Sequence, residues 1–146
     1  MSVPRTIGLT VLGGLFLTGM AVAQEKKIKR SDLPPAVEKT VAEVGKGAAI
    51  KGFSEETEGG RTAYEVEMVV NGHTKDVDID PSGVIVEIEE EVAMDSLPAN
   101  VKAGLTAKAA GSKILKVESL TKNGKGRRIR SQGGGGWKEI GDSGRS

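Results

Sequence analysis

The chain has no cysteine, one histidine and only four aromatic residues among its 146. Without cysteine there is no disulfide, no thiolate nucleophile and no cysteine-based zinc site. An excess of one charge is also missing. Lys and Arg number 21 against 20 Asp and Glu, a formal net of +1. Arg5 is the one charged residue of the first 23, so the chain from Gln24 onward nets zero. That balance argues against a general nucleic-acid binder, whose affinity comes largely from neutralised phosphates. At this length the chain holds one small domain or two very small ones.

The first 23 residues read as an address. Arg5 precedes an apolar stretch from Ile7 to Met20, and Ala21-Val22-Ala23 follows. A charged start, a short apolar run and a small-residue cleavage site form an export signal. The stretch falls short of the roughly 20 apolar residues of a membrane span. Gly8, Gly13, Gly14 and Gly19 also interrupt it. The expectation is cleavage after Ala23 and a periplasmic or secreted product with no membrane attachment afterwards. Residues 24–30 form a charged leader, expected to be disordered.

Shifted by 64 residues, the chain overlays itself without a gap. Leu33-Pro34 meets Leu97-Pro98, Val37 meets Val101, and Val41 meets Leu105. Gly47 meets Gly111, Ile50 meets Ile114, and Gly60 meets Gly124. In the first copy, residues 31–92, Ser31 or Asp32 can cap a helix and Pro34-Pro35 suits its first turn. Val37, Val41 and Val44 then recur at helical spacing. Four strands should follow. Tyr64, Val66, Met68 and Val70 alternate with Glu65 and Glu67. Asn71-Gly72 is a hairpin signal, because both residues accept positive φ. Val77 and Ile79 alternate with Asp76, Asp78 and Asp80. Val84, Val86 and Ile88 alternate with Glu87, Glu89 and Glu91.

The expected fold class is therefore α+β: one helix packed on a four-stranded antiparallel meander. A second, incomplete copy over residues 95–125 should supply a helix striped by Leu97, Val101 and Leu105, plus one strand. Residues 126–146 show no alternation and hold four consecutive glycines, Gly133 to Gly136. Their composition predicts a disordered tail. A one-base shift of a codon string compatible with Ile129 onward encodes Tyr-Glu-Ala-Lys-Val-Ala-Ala-Gly-Gly-Lys-Lys-Ser-Glu-Ile-Gln-Val-Asp. That peptide would be a second hairpin, so the tail is read as the product of a possible frame shift.

Asp32-Leu33-Pro34, Tyr64-Glu65-Val66, Asn71-Gly72 and the run from Asp78 to Gly83 resemble the PepSY-like family of exported bacterial proteins, also described as similar to β-lactamase inhibitors. The resemblance spans about residues 31–125. It implies a helix on a four-stranded antiparallel sheet and a non-enzymatic role in binding or inhibiting secreted proteins. It carries no set of functional residues.

Asp76, Asp78 and Asp80 are weak candidates for a metal site. Calcium loops follow such a triplet at once with glycine, whereas Pro81 stands here. The favoured reading is a solvated strand face. His73 adjoins the Asn71-Gly72 turn with no recognisable nucleophile beside it. No enzyme and no cofactor are expected. Glu87 to Glu91 reads as a charged edge that either meets a partner or blocks aggregation. The preferred function is an exported module presenting Glu65, Glu67, Asp76 and Asp78 to another secreted or periplasmic protein. The alternatives are calcium or small-ligand sensing through the Asp76–Asp80 face, or a decaying truncated gene product.

Overall fold

The computed structural model describes residues 24–140; the expected export signal lies outside the described residues. The elements run β1 (Gln24–Ile28), α1 (Pro35–Val44), β2 (Ala49–Glu58), β3 (Arg61–Val70), β4 (His73–Ile79) and β5 (Ile85–Glu91). They continue with α2 (Ala99–Ala109), β6 (Ile114–Lys122), β7 (Lys125–Gly133) and β8 (Gly136–Ile140). A single 3₁₀ turn precedes each helix, at Arg30–Asp32 and Met94–Ser96. All eight strands form one antiparallel sheet in sequence order.

This corrects the expected fold class. The architecture is one continuous eight-stranded sheet, not a four-stranded meander followed by an incomplete copy and a disordered tail. The leader is β1: Lys27 pairs with Ser54 and Ile28 with Phe53, and Ile28 packs against the core. The tail supplies β7 and β8. Ser119 pairs with Ile129, and Ile129 with Ile140. The reason is backbone pairing. A strand added to an existing edge needs hydrogen-bond partners and one or two anchored side chains, not a full alternating pattern. Nor is residues 87–91 an edge, because β5 pairs with β4 on one side and β6 on the other.

The turns follow from residues that tolerate positive φ. Asn71 and Gly72 sit at 51° and 82°, Asn123 and Gly124 at 49° and 64°, and Gly59 and Gly60 at 56° and 76°. Each pair closes a hairpin whose twist matches that of its strands. Gly83, at 89°, is held for a second reason: a β-carbon there would lie 2.7 Å from the Ala36 carbonyl oxygen. Thr40 Oγ1 donates to the Gly83 carbonyl at 2.6 Å, which ties α1 to the turn before β5.

Both helices lie on one side of the sheet. A row of directly opposed residues runs Met68, Lys75, Glu90, Ser119, Ile129, so Met68 and Ile129 share a face. Met68 belongs to the cluster under α1, with Val37, Val41, Val66, Val77 and Ile79. Ile129 belongs to the cluster under α2, with Leu97, Val101, Leu105 and Val117. Each such side chain contributes roughly 1.5–3 kcal/mol by leaving water. The opposite face of the sheet has no helix over it among the described residues.

Candidate functional site

That uncovered face is where the strand register concentrates charge. Directly opposed residues in an antiparallel sheet point to the same side. One row across it reads Lys27, Ser54, Glu65, Asp78, Glu87, Lys122. The next row reads Gly52, Glu67, Asp76, Glu89, Leu120, Arg128. The two rows place six carboxylates, two on each of β3, β4 and β5, in one block. Basic residues stand at its margins. Lys27 reaches Glu67, Lys122 Nζ lies 3.0 Å from Glu87, and Arg130 Nη2 lies 2.6 Å from Glu89.

The sheet curls around this block. Glu25 of β1, Lys51 of β2 and Lys116 of β6 line one hollow of about 320 Å³ together with Glu65, Glu67 and Asp76. On a flat sheet β1 and β6 would stand about 24 Å apart, five strand spacings. Curvature draws them together and takes water away from the carboxylates between them. A second open groove, about 400 Å³, adjoins the block past Glu56 and Glu87.

Proton affinities record the crowding. Burial pushes the Glu65 carboxyl up to about 7, helped by the charges of Glu56 and Asp76 and opposed by a hydrogen bond from Ser54. Burial likewise pushes Asp78 up to about 7, followed by the charges of Glu65, Glu56, Glu87 and Glu89. Asp76 and Glu89 are raised in the same way, with Lys116 and Arg130 respectively pulling back. Desolvation and like charge both disfavour the ionised form, so the effects add.

The remaining candidates separate from this block. Asp80 lies past a bulge between Asp78 and Ile79. Its Oδ1 accepts from the Ser82 and Val84 amides at 2.9 and 3.0 Å and from Ser82 Oγ at 2.5 Å. Those bonds hold its carboxyl below the usual range and commit it to the turn. Asp76, Asp78 and Asp80 therefore do not converge. Another trio does: Glu25, Glu56 and Glu65 each offer a carboxylate oxygen within 4.8 Å of the others. His73 is exposed, with Nδ1 3.9 Å from Glu91. The Glu91 carboxylate accepts from Thr74 N and Oγ1, both at 3.2 Å.

No family model matches the chain, and no curated protein matches it. Solved structures do. One, described as a periplasmic protein from Bacteroides eggerthii, overlays with a TM-score of 0.58 at 19% identity, covering 70% of this chain and 72% of that one. A DUF2874 family protein from Bacteroides ovatus overlays with a TM-score of 0.55 at 21% identity, covering 70% and 71%. A third, from Bacteroides thetaiotaomicron and described as calcium-regulated and periplasmic, overlays at 0.40 and 17% identity, too loosely to bear on this chain. The first two likenesses establish the fold. The periplasmic location expected from the export signal agrees with the description of the first. None of these descriptions names a PepSY-like family.

Sequence alternation places Glu65, Glu67, Asp76 and Asp78 together, and the structure adds Glu87 and Glu89. The signal for those two was their own alternation with Val86 and Ile88. What it lacked was the pairing of β5 with β4 that puts them in the same rows.

Proposed function

We propose that this protein is a non-enzymatic periplasmic binding module whose uncovered sheet face takes a lysine- or arginine-rich segment of another exported protein. The observation that carries the reading is the block of six carboxylates on β3, β4 and β5. Like charges directly opposed across strands are destabilising, and bound cationic side chains relieve that cost. The concave shape lets several carboxylates reach one extended segment. The same charges repel phosphate-rich nucleic acid and anionic lipid. Attraction of this kind speeds encounter and selects partners by charge. A partner whose own working surface was the basic segment would be inhibited.

The test is a titration of a decalysine peptide into the protein at pH 8, at about 20 mM salt and again at about 0.3 M, where the Debye length is several-fold shorter. Binding at low salt that weakens at high salt, and weakens again in the Glu67→Gln, Asp76→Asn double variant, supports the reading. No binding at low salt, or binding indifferent to both changes, overturns it.

A second reading rests on the Glu25, Glu56 and Glu65 oxygens, which are close enough together to share a divalent cation. Calcium bound only to the folded state would raise the thermal midpoint. A midpoint unmoved by millimolar calcium removes this reading and leaves the first standing.

A further inference from the structure

The two ends of the sheet match one another. We propose that β8 of one molecule pairs with β1 of a second copy of this chain, edge to edge and head to tail. The contact continues between molecules the joint that the chain already makes between its own two halves. It goes beyond the binding reading and does not depend on it.

The register carries the argument. Glu25 and Lys27 of β1 stand opposite Glu56 and Ser54 of β2. Glu89 and Glu91 of β5 stand opposite Leu120 and Glu118 of β6, each 64 residues after its counterpart in the first pair of strands. The 3₁₀ turns that follow, at Arg30–Asp32 and Met94–Ser96, keep the same offset. So β5 opens the second half of the sheet as β1 opens the first. On its other side β5 also pairs with β4. In the second half β8 takes the place of β4. Each is the second arm of a two-residue hairpin, closed at Val70 and His73 or at Gly133 and Gly136. Each sets an isoleucine, Ile79 or Ile140, against the core under its helix. Among the described residues no strand lies beyond β8 as β5 lies beyond β4, and none lies beyond β1. A strand of the β1 type fits beside β8, and a second copy carries one.

The backbone at both edges is able to pair. The closing pair of a two-residue hairpin exchanges hydrogen bonds, and the direction of the peptide groups then alternates along the strand. Counted from Gly136, Lys138 and Ile140 face β7, whereas Trp137 and Glu139 face the open edge. Counted from Glu58, the residues Glu55 and Phe53 face β1. Lys26 and Ile28, opposite them, face β2, which leaves Glu25 and Lys27 facing outward. No proline interrupts either strand. Such unpaired N–H and C=O groups are a template for another strand. Charge does not forbid the joint: Glu89 and Glu90 stand in the places of Glu25 and Lys26, and both pair with β4 and with β6. The two edges differ, so the contact is heterologous and repeats from copy to copy. Both strands have five residues, which makes the joint short and the association weak.

Sedimentation of the protein recovered from the periplasm tests this between about 20 µM and about 1 mM. Salt at about 0.3 M screens attraction between charged faces. The expected result is a mass that rises with concentration. Lys27→Pro and Glu139→Pro each remove one outward N–H and leave the ladder inside the sheet its donors. Each variant alone should stay monomeric throughout the range. Mixed, they should form a one-to-one pair, because each still holds the edge that the other has lost. Amide exchange of the unaltered protein gives a second reading that needs no variant to fold. The Glu25, Lys27, Trp137 and Glu139 amides should be open at the low concentration and protected at the high one, with Lys26 and Lys138 protected at both. A protein that stays monomeric across the range overturns the proposal. A rising mass that leaves those four amides open overturns it too, since the contact then lies elsewhere. So does association that survives in either variant, or a mixture of the two folded variants that stays monomeric.

Discussion

Glu65 on β3 and Asp78 on β4 stand directly opposite one another, and Asp78 in turn stands opposite Glu87 on β5. Ion pairs at the margins hold neighbours of this pair but not the pair itself. The fold thus sets like charges directly opposite one another on the face that no helix covers among the described residues. Neutralising them should stabilise the protein. At pH 8, Glu65→Gln and Asp78→Asn are each expected to add roughly 0.2–1 kcal/mol, the scale of a cross-strand charge pair, measured by denaturant unfolding. Because both carboxyls bind protons more tightly folded than unfolded, their penalty is absent below the unfolded values. It grows as pH rises through them and is complete above about 7. On the acid side Glu91, Glu38 and Asp80 act in the opposite sense, since hydrogen bonds hold their carboxyls low in the folded state. Stability should therefore peak in mild acid.

Arg130 links the two halves of the face. Its guanidinium meets Glu118 at 2.7 and 2.8 Å and Glu89 at 2.6 Å, and it lies 4.2 Å from the Trp137 ring centre. Glu118 is buried. Arg130→Ala leaves that carboxylate with Lys116 alone and is expected to cost about 1–3 kcal/mol. Arg130→Lys keeps the charge without the planar fork and should fall between. Chemical denaturation of the three proteins checks the order.

The tail provides a test of the corrected fold. Residues 125–133 pair with β6, and Ile129 is 2% exposed. Amide hydrogen exchange should find protection through β7 comparable to that in β6. Exchange at the rate of a free chain from residue 126 onward would restore the disordered tail.

Gly83 joins two conditions, positive φ and contact with α1. Gly83→Ala should destabilise by more than about 1 kcal/mol, the usual scale where alanine is forced into a glycine conformation. The same change at exposed Gly72, where an added β-carbon would meet nothing within 4 Å, carries only the φ penalty and should cost less.

Legibility followed the range of the interactions. Val66, Met68, Val77 and Ile79 alternate within their own strands, so their inward face could be read locally. Asn71-Gly72 declared its turn by residue type alone. β1 could not be read, because Gln24-Glu25-Lys26-Lys27 is wholly polar and becomes a strand only against β2. β7 and β8 were hidden for the same reason, with Ile129 and Ile140 their only inward aliphatic anchors. At the site, Glu65, Glu67, Asp76 and Asp78 were visible as polar alternation. Their extension to Glu87 and Glu89 depended on the register of β5, and the departure of Asp80 depended on a bulge. Neither is written in a single strand.

The central claim is that the fold sets Glu65 directly against Asp78 inside a block of acids, with no ion pair to either among the described residues. A carbon-13 titration of the side-chain carboxyls, read residue by residue by NMR, tests it most directly. Glu65 and Asp78 are expected to titrate at about 7. Midpoints near the ordinary value of about 4 for both would contradict the account.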